Sequence, residues 1–213
     1  VQVLCAEFGY GPEVEAILRA ACGNFDALAE FLAEPAFGPA QKLALLQMLS
    51  EKDLRDVRPE VLHEALALAA DDLPQDVRAL REILCPRIGT EPLARCREAL
   101  LNAFSQAQKQ EFRREPARLW QWIRENIRYV PEAEYRQLIT LPAGAVRLRC
   151  ADLRSQRLLF VAACRALGVA ARLDLHSGAA EYRSGESYLS PEEGRTVSAA
   201  LRLEKQPGEA WQT

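Results

Sequence analysis

The stretch Asp152-Leu153-Arg154-Ser155-Gln156-Arg157-Leu158-Leu159-Phe160-Val161-Ala162-Ala163-Cys164-Arg165-Ala166-Leu167-Gly168-Val169-Ala170-Ala171-Arg172-Leu173-Asp174-Leu175 decides the fold of this chain. Its seven consecutive apolar residues, Leu158 to Cys164, would cover the whole circumference of a helix, so that helix is expected to be buried on nearly all sides. Asp152 stands where an N-cap is wanted, and Gly168 where a helix stops. Beyond the glycine, Val169, Leu173 and Leu175 alternate with Arg172 and Asp174, the pattern of a half-buried strand. Two weaker strand-like runs follow, near 179–189 and from Val197 to Leu203, with Ser-Gly and Pro-Glu-Glu-Gly turns between them.

Working back towards the N-terminus, residues 12 to 129 read as helix after helix. Pro12 opens a segment with Val14, Ile17, Leu18 and Ala21 on one face, closed by Gly23. Asn24 is placed to cap the next, where Phe25, Leu28, Phe31 and Leu32 recur at helical spacing before Pro35. Leu43, Leu46, Met48 and Leu49 mark a third helix, with Ser50 and Asp53 as break or cap residues, and Pro59 starts a fourth. Residues 74–84 and 91–110 give two more, separated by Cys85-Pro86-Arg87-Ile88-Gly89, and Pro116 begins the last. Residues 130–149 hold Pro131, Pro142 and Gly144 and read as an ordered connecting loop. The expected fold class is α+β: a bundle of about six helices, then a buried helix and a small antiparallel sheet.

Composition limits the chemistry. The 213 residues carry 27 basic and 30 acidic side chains, a formal charge of −3, which argues against nucleic acid as the partner. No apolar run approaches the roughly 18 residues needed to span a bilayer. The six cysteines are scattered, with no C-x-x-C pair to hold zinc or run redox chemistry. No phosphate loop, H-E-x-x-H or dinucleotide fingerprint is present, so no cofactor and no metal is implied. There are only two histidines, His63 and His176, so any mechanism needing an imidazole base has two candidates. The chain opens on Val1 and stops at Thr213 soon after strands begin, so further domains of the same protein are expected.

The helix segment Trp122-Ile123-Arg124-Glu125-Asn126-Ile127-Arg128-Tyr129 and the ending Arg165-Ala166-Leu167-Gly168-Val169-Ala170-Ala171-Arg172 together resemble the core of the transglutaminase-like superfamily. That family places W-x-x-x-N-I-x-Y before a loop and ends its buried helix in R-A-L-G-I-P-A-R. Ala151, Asp152, Ser155, Phe160, Val161, Ala162, Cys164 and Arg165 are also similar to a divergent branch found in multi-domain bacterial envelope proteins. The resemblance covers about residues 116–183. It implies a helical extension over residues 1–112, a transglutaminase-like core over 113–213, and a periplasmic or extracellular setting. It also implies a papain-like site, in which a cysteine at the N-terminus of the buried helix forms a thioester and a histidine and an aspartate follow on the strands.

This chain departs from that pattern at the two positions that matter most. The family's cysteine lies about a dozen residues before the residue matching Arg165, and twelve back is Leu153; Cys150 comes three residues earlier. His176 follows Arg172 by only four residues, at the end of the first strand rather than on the second. Cys150 and His176 are therefore the catalytic candidates, with a boundary thiol and a turn residue as the plainer alternatives. Asp152 has a ready structural role as a cap, with hydrogen bonding to a ligand in a cleft, alongside Ser155, as its second reading. Arg147, Arg149, Arg154 and Arg157 make the loop–helix junction basic and suited to an anionic group, unless they are simply a solvated face. Trp120 reads as core, whereas Trp122 points elsewhere and is the candidate to line a groove for a glycan or peptide; Arg172 is a further binding candidate.

Two functions follow. The favoured one is a non-catalytic transglutaminase-like domain that binds or scaffolds, with a peptide, cell-wall or glycan ligand. The alternative is a thiol-dependent acyl transferase or peptidase acting on peptide or cell-wall amides through Cys150.

Overall fold

The computed structural model describes residues 1–69, 72–131 and 139–192. The first helices are α1 (Gln2–Phe8), α2 (Pro12–Ala20), α3 (Phe25–Ala33), α4 (Pro39–Met48), α5 (Glu51–Asp56), α6 (Pro59–Ala67) and α7 (Val77–Leu84). Then come α8 (Arg97–Asn102), α9 (Gln106–Arg114), α10 (Pro116–Asn126), β1 (Arg128–Tyr129), α11 (Pro142–Leu148), β2 (Cys150–Ala151) and α12 (Leu153–Ala166). Strands β3 (Ala171–Leu173), β4 (Ala180–Ser184) and β5 (Ser187–Leu189) complete the described chain. The class is α+β, with a three-stranded antiparallel sheet in the order β3-β4-β5 and a parallel pair of β1 with β2. No helix among the described residues is long and apolar enough to cross a membrane.

Most helix boundaries follow the expected punctuation. Proline stands first in α2, α4, α6, α10 and α11, where its missing N–H costs nothing. Ser50 and Asp53 form a capping box on α5, with Ser50 Oγ accepting from the Asp53 amide at 3.2 Å.

Five expectations are corrected. Residues 1–114 form nine α-helices among the described residues, not six. The single helix over 91–110 is two, because Ser105 caps α9 by accepting from the Gln108 amide and so breaks the run. The loop over 130–149 contains α11, whose Pro142 start and buried Ala145 give it a helical inner face that the prolines and glycine obscured. Asn24 precedes α3 but does not cap it: its Nδ2 donates instead to the carbonyls of Leu54 (2.9 Å) and Val57 (2.8 Å), tying α3 to α5. The strand over 169–175 is only Ala171–Leu173, since Asp174 turns the chain by accepting from the amides of His176 and Ser177, which leaves Leu175 exposed. The expected strand from Val197 to Leu203 lies outside the described residues.

Two apolar cores result. The first joins α1 to α7 through Leu18, Leu28, Phe31, Leu45, Leu46, Leu62 and Ile83. The second surrounds α12 and draws Leu100 from α8, Phe112 from α9, Leu119, Trp120 and Ile123 from α10, and Ala171 and Ala180 from the sheet. Helix α12 is buried at every position from Leu158 to Ala166, as its all-round apolar sequence requires. Two buried guanidinium groups join the cores. Arg165 donates to the carbonyls of Cys85, Arg87 and Ala171 at 2.8–2.9 Å, and Arg97 donates to those of Arg165, Ile83 and Leu84. Arg97 thereby satisfies carbonyls in the last turns of α7 and α12, and Arg165 those of Cys85 just past α7, of the loop after it and of β3. Glu64, also buried, accepts from the amides of Cys96, Arg97 and Glu98 and so anchors the N-terminus of α8 to α6.

Candidate functional site

The N-terminus of α12 is where the family's nucleophile would stand, and here it is closed by the chain's own polar groups. Asp152 Oδ1 accepts from the Ser155 amide at 2.6 Å, the cap expected of it. Ser155 is fully buried, and its Oγ accepts from the Thr140 amide at 2.9 Å. Gln156, also fully buried, donates from Nε2 to the carbonyls of Ile127 (3.2 Å) and Ala151 (3.4 Å), while its Oε1 accepts from Arg124 at 3.3 Å. Leu153 packs as a partly buried member of the second core. The start of the helix, Asp152 to Gln156, carries no thiol, and its one hydroxyl, Ser155 Oγ, is engaged by the Thr140 amide.

Cys150 lies on β2, half-buried and opposite Arg128 of β1. That ladder is fixed by the Arg128 amide donating to the Arg149 carbonyl at 2.9 Å and the Val130 amide to the Ala151 carbonyl at 3.1 Å. His176 is exposed in the turn between β3 and β4, at the edge of a cavity of about 510 Å³ that also touches Arg81, Arg165, Arg172 and Asp53. Cys150 does not line that cavity, and no hydrogen bond joins the two residues among the described residues. Cys164 is buried in α12, and burial pushes its thiol well up from the ordinary value. No group of three or more His, Cys, Asp or Glu is arranged to hold a metal ion among the described residues.

The arginines part company. Arg172 lies 3.7 Å over the Tyr188 ring and pairs with Glu181 at 2.9 Å; desolvation opposes its charge, but the bond to Glu181 holds its pKa above the ordinary value. Arg154 donates to Thr90 Oγ1 at 2.5 Å, and Arg157 forms a two-pronged pair with Glu192 at 2.8 Å. In the cavity beside His176, Arg87 pairs with Asp53 and Asp56, and Arg78 with Glu82, so most of its cations already have carboxylates.

Arg147 and Arg149 differ: both are exposed, and neither meets a carboxylate among the described residues. Arg149 sits in the left-handed region (φ 54°, ψ 30°) as the C-cap of α11, which costs a non-glycine residue about 1 kcal/mol. Its guanidinium lies 5.5 Å over the Trp122 ring. Trp122 is therefore not the free exposed surface expected of it; it is half-buried, edge-on to Phe104 at 5.0 Å.

Arg147 and Arg149 border a second cavity, of about 580 Å³, between α8 and α11. Ala99 of α8, Ala103 just past its end, Ala143 and Val146 of α11, and Ala162 of α12 give it small apolar walls and an apolar floor. Glu91, on its rim, is 4% exposed and turned away, accepting from the amides of Ile88 and Gly89 at 2.6 and 2.8 Å. Sequence reading named both arginines but missed the cavity, because α11 was hidden in a segment read as loop.

Comparison with known families matches residues 98–205 to the transglutaminase-like superfamily. The match spans just over half of the chain, which belongs to that superfamily. No curated protein and no solved structure matches it.

Proposed function

We propose that this chain is a non-catalytic transglutaminase-like domain that serves as a binding or scaffolding module. The observation that carries the reading is the start of α12. The family's spacing, counted back from Arg165, falls on Leu153, which packs on the core, and Asp152, Ser155 and Gln156 spend local donors and acceptors on the protein itself. A thioester mechanism needs a thiol there, with an imidazole in hydrogen-bond reach to take its proton. Cys150 stands before the cap and His176 edges a cavity that Cys150 does not line. In this reading, residues 1–112 are a helical extension buttressing a core over 113–213. The bacterial envelope setting, with a peptide, glycan or cell-wall partner, follows from the likeness of the Ala151–Arg165 string to that branch.

Incorporation of a fluorescent primary amine into a glutamine-containing protein acceptor tests the reading. We expect none above a Cys150→Ser control. Amine incorporation by the native chain that disappears in C150S would instead establish the acyl-transfer alternative.

A further inference from the structure

We infer that the cavity between α8 and α11 is a binding site for a small amphipathic carboxylate, its apolar body between the helices and its carboxylate on Arg147 and Arg149. The inference deepens the binding reading above and rests on it. About 580 Å³ lies within the ~300–1,000 Å³ range usual for small-molecule sites, and the alanines that line it leave room that larger side chains would fill. An apolar interior of this kind offers a hydrocarbon or aryl body a gain proportional to the area it removes from water.

The charge at the mouth selects the head group. Of the ionisable groups on the rim, Glu91 is occupied by two backbone amides, and Arg95 is matched by Glu98 at 3.0 Å and Glu64 at 3.5 Å. Arg147 and Arg149 are left as cations with no carboxylate partner among the described residues, in contrast to the largely paired arginines of the cavity beside His176. Neither is loosely held at the backbone. Arg147 belongs to the last turn of α11, and Arg149 donates its amide to the Ala145 carbonyl at 2.9 Å while its own carbonyl accepts from Arg128. The planar fork of a guanidinium takes a carboxylate through two parallel hydrogen bonds. An uncharged ligand of the same shape would leave Arg147 without a partner among the described residues and Arg149 with the Trp122 ring alone, and a cation would be repelled.

Calorimetric titration of the whole chain with decanoate, and with decanol as the uncharged counterpart, tests this. We expect one decanoate site and much weaker decanol binding. R147Q/R149Q, both at exposed positions, should weaken decanoate at least tenfold and leave decanol unchanged, as loss of charge-assisted hydrogen bonds requires. Ala99→Phe, at an exposed position on the cavity wall, should abolish both. Should A99F disturb the circular dichroism of the fold, A143L fills the same space from α11. Absence of decanoate binding at millimolar ligand, equal binding of decanol, or wild-type affinity in R147Q/R149Q would each overturn the proposal. The amine-incorporation assay separates the two claims. Acyl transfer through Cys150 would end the non-catalytic reading and leave a decanoate site standing, whereas a flat titration would end the cavity proposal alone.

Discussion

Cys96 shows how much of this chain's behaviour is set by burial at a single residue. It sits before α8 with its amide donated to Glu64, and desolvation pushes its thiol from the ordinary 9.0 up to about 11. The folded chain therefore keeps a proton that the unfolded chain gives up first. The resulting stability is fully present below about pH 9 and is lost as pH rises through about 11; the buried thiol of Cys164 acts in the same direction. Chemical denaturation at pH 8 and pH 10.5 should show the native chain losing stability, and Cys96→Ala losing measurably less; identical losses would contradict the assignment. The sequence placed Cys164 in the core because its neighbours are apolar. It offered nothing comparable for Cys96, which is half-buried between Arg95 and Arg97, the latter turned inward to the carbonyls of α7.

At the scale of elements, α12 was the most legible part of the chain and its N-terminus the least. Seven apolar residues in a row declare burial, and an aspartate at the cap declares a start. Gln156 gives no such signal, since a glutamine among Ser155 and Arg157 is ordinarily solvated. Only the return of the chain at Ile127, 29 positions earlier, reveals it as the group that joins β1 and β2 to the helix. Gln156→Leu keeps the volume and removes the amide, stranding the Ile127 carbonyl, while Ala151 keeps its bond from Val130 and the exposed Arg124 turns to solvent. We expect a loss of about 2–3 kcal/mol in urea denaturation, against a few tenths for Gln121→Leu on the exposed face of α10. An equal effect of the two substitutions would mean that the buried amide network does not hold the helix start. Helix α11 escaped sequence reading for the opposite reason. It is seven residues long and begins with a proline, and its third residue is Gly144, so the punctuation marks of a loop are also its start signals.

Across the whole molecule, two apolar cores meet along a seam of buried polar groups rather than a single continuous interior. Arg97 and Arg165 each donate to carbonyls on both sides, and Glu64 of the first core caps a helix of the second. Parting the cores would expose these groups unpaired, so they are expected to unfold together. Trp120 and Trp122 belong to the second core, so the fluorescence of a Trp211→Phe variant reads that core, whereas far-ultraviolet circular dichroism reads the helices of both. Coincident fluorescence and dichroism transitions are the expected result, and a dichroism loss that precedes the fluorescence change would show independent cores. The near-balanced charge and the α+β class were readable from residue order alone. The seam was not, because its arginines reach carbonyls as many as 80 positions away. Nor was the cavity between α8 and α11, since the α8–α9 break and α11 itself both had to be seen first. The central claim, that this transglutaminase-like fold no longer performs acyl transfer, is tested most directly by acyl-enzyme trapping. The native and the urea-unfolded chain are treated with p-nitrophenyl acetate, and Cys150 is followed by intact and peptide mass. Acylation of Cys150 no faster in the native chain than in the unfolded one is the predicted result. A stoichiometric burst of acyl-Cys150 in the native chain, absent once it is unfolded, would contradict it.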